Sequence, residues 1–187
     1  MKAIQFLPLL MIVTLFTFSC TKDNVDIQDD KTPFSSMTSL DANNTSKAGD
    51  LSDGAALSSL DWAWKSSIDC FAPHAADRYS GNHVFYTIQL PADYKLTVNL
   101  IPEDAKDEMS LYAYSSAGGT ATLPESLASC LSCKTDPASV DARNRTIELK
   151  ATTIFEELPQ SHHTLVIGVA GAEGVLTGAY TLEVKFD

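Results

Sequence analysis

The sequence predicts an all-β chain folded as a two-sheet antiparallel β-sandwich of jelly-roll-like form, and three observations carry that expectation. Period-2 alternation of apolar and polar residues recurs in short segments, no stretch sustains a helical period over several turns, and Gly, Pro, Asp and Asn cluster between the alternating segments. The clearest pair lies at the carboxyl end. Leu165 to Ala170 is apolar at both parities, which predicts a central strand buried on both faces. After the turn at Gly171-Ala172-Glu173-Gly174, residues Tyr180, Leu182, Val184 and Phe186 share one parity while Thr181, Glu183 and Lys185 take the other, the pattern of a strand with one wet face. Two such strands need a second sheet to cover their apolar side, and the residues before them supply it.

In chain order, residues 1–19 read as a targeting segment. Lys2 gives a short positive start, Ile4 to Phe18 is an almost unbroken apolar run interrupted by Pro8, and Ser19 is a small residue before Cys20. The run is shorter than the roughly 20 apolar residues a membrane span needs. Leu15-Phe16-Thr17-Phe18-Ser19-Cys20 resembles a loose bacterial lipoprotein box. The acidic stretch that follows, with Asp23, Asp26, Asp29 and Asp30, resembles the segment that directs Bacteroidetes-type lipoproteins to the cell surface. That resemblance implies a lipidated Cys20 and an outer-membrane address, with several acyl chains anchoring more firmly than one. Residues 20–58 are rich in Asp, Ser, Thr, Asn and Gly, and are expected to form a flexible tether because they offer little apolar surface to offset the entropy of ordering.

Residues 59–187, about 130, suit one domain. Leu60 to Trp64 predicts a first strand with Trp62 and Trp64 on one side. Residues 70–74 and 79–82 read as loop. Val84, Tyr86, Ile88 and Leu90 alternate with Phe85, Thr87 and Gln89, then Pro91-Ala92-Asp93 turns into Leu96, Val98 and Leu100, so these two strands are expected to pair as a hairpin. Residues 101–108 form an acidic loop before the strand Met109 to Tyr114. Residues 115–143 are long for a structureless connection and suggest an excursion held by a disulfide or carrying function. Arg145, Ile147 and Leu149 reopen the alternation, and Gln160 to His163 leads into the last pair.

The run Phe85 to Ala92, then Leu96 to Leu100, then Met109 to Tyr114 after its acidic flank, and finally Leu165 to Val169 with Gly178 to Val184, resembles the bacterial pre-peptidase C-terminal domain in order and spacing. The resemblance covers most of residues 59–187. It implies a jelly-roll-like sandwich of the kind appended to secreted hydrolases or carried by surface proteins, some members binding carbohydrate, collagen-like substrates or calcium, and others acting as spacers. No catalytic domain accompanies it in this chain.

The candidate chemistry is limited. With Cys20 lipidated, Cys70, Cys130 and Cys133 remain in an oxidising setting, and three pairings are open; a bridge from Cys70 to one of the pair would staple the long excursion to the domain's start. Cys130-Leu131-Ser132-Cys133 has the spacing of a redox CxxC but lacks the βαβ context, and zinc would need His74 as a fourth ligand. Adjacent His162 and His163 would point to opposite faces of a strand. Glu103, Asp104, Asp107 and Glu108 supply oxygen ligands of the kind calcium takes, against the plainer reading of a solvated acidic loop. Trp62, Trp64, Tyr112 and Tyr114 are either core aromatics or a platform for stacking a sugar ring.

No HExxH, Gly-x-Ser-x-Gly or phosphate-cradling glycine loop is present, so the chain is expected to be non-catalytic. A net charge of -11 argues against nucleic acid. The expected function is a lipid-anchored envelope protein that binds polysaccharide or a protein surface, possible Ca2+ support included; the alternative is a structural or partner-binding subunit of an envelope or secreted-hydrolase complex.

Overall fold

The computed structural model describes residues 37–41, 45–65, 68–91, 94–116, 121–127, 130–139, 144–150 and 163–187. The described residues form ten strands in two sheets. In order they are β1 (Thr38–Ser39), β2 (Ser46–Asp50), β3 (Ala55–Ala56), β4 (Asn82–Leu90), β5 (Lys95–Pro102), β6 (Met109–Ser116), β7 (Cys130–Asp136), β8 (Arg145–Lys150), β9 (His163–Gly171) and β10 (Ala179–Phe186). One sheet runs β1-β4-β9-β6-β7 with β3 also on β4, the other β2-β10-β5-β8. All pairings are antiparallel except that of β1 with β4.

The strand patterns explain the packing. Tyr86, Ile88 and Leu90 of β4, Leu165, Ile167 and Val169 of β9, and Met109, Leu111 and Ala113 of β6 face Leu96, Val98, Leu100, Ile147, Leu149, Tyr180, Leu182 and Val184 of the second sheet. Each such large aliphatic side chain contributes about 1.5–3 kcal/mol on burial. The second sheet keeps its other face wet, with Glu148, Glu183 and Lys185 exposed. The first sheet does not. Its outer face carries Phe85, Tyr112, Tyr114, Val166 and Ala170, and these are covered by residues 57–65 and 68–81, which bring Trp62, Phe71 and Tyr79 over them. A cap therefore lies on the first sheet, and this is why β9 is apolar at both parities.

Three expectations need correction: the first strand, the hairpin and the tether. The segment around Trp62 is a one-turn helix, α1 (Trp62–Lys65), closed by the Lys65 amide donating to the Asp61 carbonyl at 2.9 Å, and not a strand. The segments β4 and β5 are no hairpin: β4 pairs with β9 and β5 with β10 and β8, so the turn at Pro91 carries the chain from one sheet to the other. The long excursion contains β7, which pairs with β6 from Leu111–Asp136 to Ser116–Cys130.

The tether and domain boundary at 58 also moves. Residues 46–50 form an edge strand on β10, and Leu51 is fully buried. An edge strand is held by backbone hydrogen bonds and needs little apolar surface of its own, so a polar composition does not preclude it. Gly49 fits there because a Cβ would lie 2.5 Å from the Tyr86 hydroxyl and 2.7 Å from the Tyr180 ring, two tyrosines that hydrogen-bond each other at 2.9 Å. The signal segment and Cys20 lie outside the described residues.

Cys70 and Cys133 form a disulfide with Cα atoms 5.2 Å apart, tying the cap to β7 across a sequence separation of 63. A loop of that length is worth about 4 kcal/mol in the chain-entropy account. Reduction, or Cys70→Ser with Cys133→Ser, is expected to lower stability by about 2–4 kcal/mol in urea titrations. An unchanged midpoint would mean that the aromatic contacts alone hold the cap.

Candidate functional site

The cap builds an aromatic interior layer and a recessed surface beside it. Phe71 stacks on Tyr79 at 3.9 Å between centroids, and Trp62 lies 5.5 Å from Tyr114, 5.7 Å from Tyr112 and 5.8 Å from Phe71. Tyr112 and Tyr114 are fully buried, and Trp62 is 9 % exposed. Of the two readings of these aromatics, Trp62, Tyr112 and Tyr114 take the core one. Trp62 meets Tyr112 and Tyr114 at interplanar angles of 39° and 47°, and Trp64, half-buried, makes a T-shaped contact with Phe71. The reason is the cap itself, which converts the outer face of β6 from a surface into an interior.

At the centre of this layer sits His83, fully buried. Its Nε2–H donates to the Tyr79 carbonyl at 2.6 Å, so Nδ1 is left to accept from the Tyr112 hydroxyl at 2.8 Å. Burial pulls its pKa down to about 4, against a small opposing effect of the Tyr79 hydrogen bond. The ring is thus neutral and engaged at both nitrogens, which removes it as a general base. His83 shares the parity of Phe85 in β4, which turns it toward the cap.

The cysteines follow the same logic. The register of β7 shifts between Ser115 and Ser116, so that Ser116 pairs with Cys130 while Tyr114 pairs with Cys133. This bulge at Leu131 turns Cys130 and Cys133 to the same side, where a regular strand would place them on opposite faces. Cys130 is a free thiol, buried, with its Sγ–H on the Ser132 carbonyl and its pKa pushed up by burial. Cys133 is bonded to Cys70, so neither the redox CxxC nor a zinc set with His74 is assembled.

In the acidic loop, the Asp104 carboxylate accepts from the Lys106 amide at 2.9 Å, and Glu108 approaches Arg78 at 3.9 Å. Burial, then the neighbouring Asp104 and Asp50, push the Asp107 carboxyl upward, while Glu103 is exposed. Among the described residues no group of three or more His, Cys, Asp or Glu converges as a metal site.

The surface feature the sequence did not disclose is a groove between α1 and the 3-10 turn Pro124–Ser126, with a volume of about 360 Å³. Ser58, Asp61, Trp62, Lys65, Glu125 and Leu127 line it. Glu125 Oε1 accepts from the Ser58 hydroxyl at 2.5 Å and from the Ser58 amide at 3.3 Å, and Asp61 pairs with Lys65. These residues are 67 positions apart in the chain, so only the fold brings them together.

The sequence matches no protein-family model, and no curated protein matches it. Similar solved structures include the pre-peptidase C-terminal domain of collagenase from Bacillus anthracis, at 11 % identity and TM-score 0.43 over 80 % of this chain and 95 % of that one. The periplasmic g-type lysozyme inhibitor PliG of Aeromonas hydrophila follows at 12 % identity, TM-score 0.42, and coverage of 81 % and 96 %. The surface-associated copper-binding protein CorA of Methylomicrobium album BG8 has 13 % identity, TM-score 0.47, and coverage of 81 % and 98 %.

Proposed function

We propose that this chain is an exported, non-catalytic binding module of the cell envelope, anchored through a lipidated Cys20 at the outer membrane and facing outward. The observation that carries the binding reading is the groove: a recess with charged, hydroxyl and apolar walls, built on a cap that a disulfide and an aromatic cluster hold in place. Rigid walls favour binding because little conformational entropy is lost when a ligand arrives. The Cys70–Cys133 bridge supports an oxidising, exported location. The interior groups that would serve as base or nucleophile, His83 and Cys130, are buried and hydrogen-bonded.

The test uses the full chain, immobilised and presented with envelope polysaccharides and purified envelope proteins. Saturable binding is expected, with the ligand recovered chemically unchanged. Conversion of a ligand, or no saturable binding of either class, would sink the reading. The anchor is checked separately: Cys20→Ala is expected to release the protein from membranes into the soluble fraction, and continued membrane retention would overturn the lipid attachment.

A further inference from the structure

We infer that the groove between α1 and the turn Pro124–Ser126 receives an arginine side chain from a basic segment of a protein partner; this rests on the reading of the chain as a binding module. The inference starts from two carboxylates on two walls. Asp61, next to α1, and Glu125, in the turn, line the same recess of about 360 Å³. Each has one oxygen engaged and one available. Glu125 accepts both of its bonds from Ser58 at Oε1, the hydroxyl at 2.5 Å and the amide at 3.3 Å, and Oε2 has no partner among the described residues. Asp61 meets Lys65 through Oδ2, and Oδ1 is likewise without a partner among the described residues.

The walls select the kind of cation. A guanidinium is planar and carries five N–H donors that leave in several directions, so one group can bond a carboxylate on each wall at once while its flat face lies on apolar surface. Pro124 and Leu127 supply that surface beside the carboxylates. An ammonium is compact and strongly hydrated, and has no flat face to lay against such a wall. Ser58 and Ser59, both exposed, offer hydroxyls to the backbone of the segment that carries the arginine.

Charge sets the sign of the partner. Among the described residues Lys65 is the only basic group lining the groove; it is 66 % exposed, and its pair with Asp61 is the kind that water screens. Two carboxylates against one ammonium, in a chain of net charge -11, complement a basic surface and oppose an acidic one. The recess is at the small end of ligand pockets, which suits one long side chain, with the rest of the segment lying along the rim.

The experiment is isothermal titration of the full chain with hexa-arginine, hexalysine and hexacitrulline peptides, at about 0.15 M salt so that exposed charges further apart than about 8 Å are largely screened. Hexalysine keeps the charge without the guanidinium, and hexacitrulline keeps the shape without the charge. Asp61→Asn and Glu125→Gln address the two walls, each keeping an oxygen while removing the charge. Glu183→Gln, on the wet face of the second sheet, removes the same charge elsewhere. Thermal melts establish that each variant is folded. Hexa-arginine is expected to bind best, with Asp61→Asn and Glu125→Gln each weakening it about fivefold, roughly 1 kcal/mol, and Glu183→Gln leaving it unchanged. Equal binding by the wild type and both wall variants, or an equal loss in Glu183→Gln, would overturn the groove as the site. Hexalysine or hexacitrulline binding as tightly as hexa-arginine would overturn the arginine assignment. In either case saturable binding of another ligand in the broader screen leaves the binding module standing, whereas failure to bind there as well overturns both.

Discussion

Gly168→Ala is expected to destabilise the protein by about 3 kcal/mol or more, or to prevent folding, although a glycine-to-alanine change inside a strand ordinarily stabilises. Gly168 is in β9, opposite Phe85 of β4 and Tyr112 of β6. A Cβ there would stand 2.1 Å from Cζ of Tyr112 and 2.5 and 2.6 Å from its Cε atoms, far inside contact distance. Relief would require the ring to move, and it is hemmed by Trp62, Tyr79, Phe85 and Tyr114 and bonded to His83 through its hydroxyl. Alternatively β9 would have to shift, which breaks its register with both neighbours. Urea titration of the single variant, of Tyr112→Leu and of the double variant checks this. The double variant should be more stable than the sum of the singles predicts, by about 1–3 kcal/mol, because truncating the ring vacates the space the new methyl needs. Additive effects would show that the clash is absent.

Acidification from pH 6.5 to 4 is expected to remove about 3 kcal/mol of stability through His83 alone. The sign follows from proton counts. Burial lowers the folded pKa to about 4 against 6.5 in the unfolded chain, so between these values the unfolded state binds more protons and gains on the folded one as pH falls. The contribution is complete above 6.5, declines through the window, and levels off below about 4. A second proton on His83 would sit at Nδ1 facing the Tyr112 hydroxyl, which would have to stop donating to it. Hydrogen bonds from Ser52 lower Asp50, so its contribution is lost only below the ordinary carboxylate range. Asp107, pushed upward, works with the opposite sign. In His83→Asn, stability at pH 7 should be lower but the fall between pH 6.5 and 4 much shallower. An imidazole resonance of His83 that titrates near 6.5 in the folded protein would refute the account.

How much was readable beforehand differs by element. The alternation in β5, β8 and β10 identified the inward residues Leu96, Val98, Leu100, Ile147, Leu149, Leu182 and Val184, all buried. The doubly apolar β9 indicated a central strand, and the expectation that Cys70 would staple the long excursion is met by its bond to Cys133. The helical turn at Trp62, by contrast, is a four-residue element, too short to show any period, and β2 is a polar edge strand whose partner among the described strands, β10, is far away in sequence, Asp50 pairing with Ala179. The groove was not readable at all, since its two walls belong to residues 58–65 and 124–127, and no local pattern reports a contact between such segments.

The sequence by itself determined the class of the fold, its sheet-facing residues and the cysteine that closes the cap, because side-chain alternation is a property of each strand alone. The tertiary structure decided everything that depends on what lies over the first sheet. It sent β4 and β5 to opposite sheets, and it turned Trp62, Tyr112 and Tyr114 from a surface into a core. It buried His83 to hold it neutral, and it brought Ser58 and Glu125 together above the indole. The physical reason is shared: burial, pKa and hydrogen-bond partner are properties of an environment, and that environment is assembled here from segments tens of residues apart.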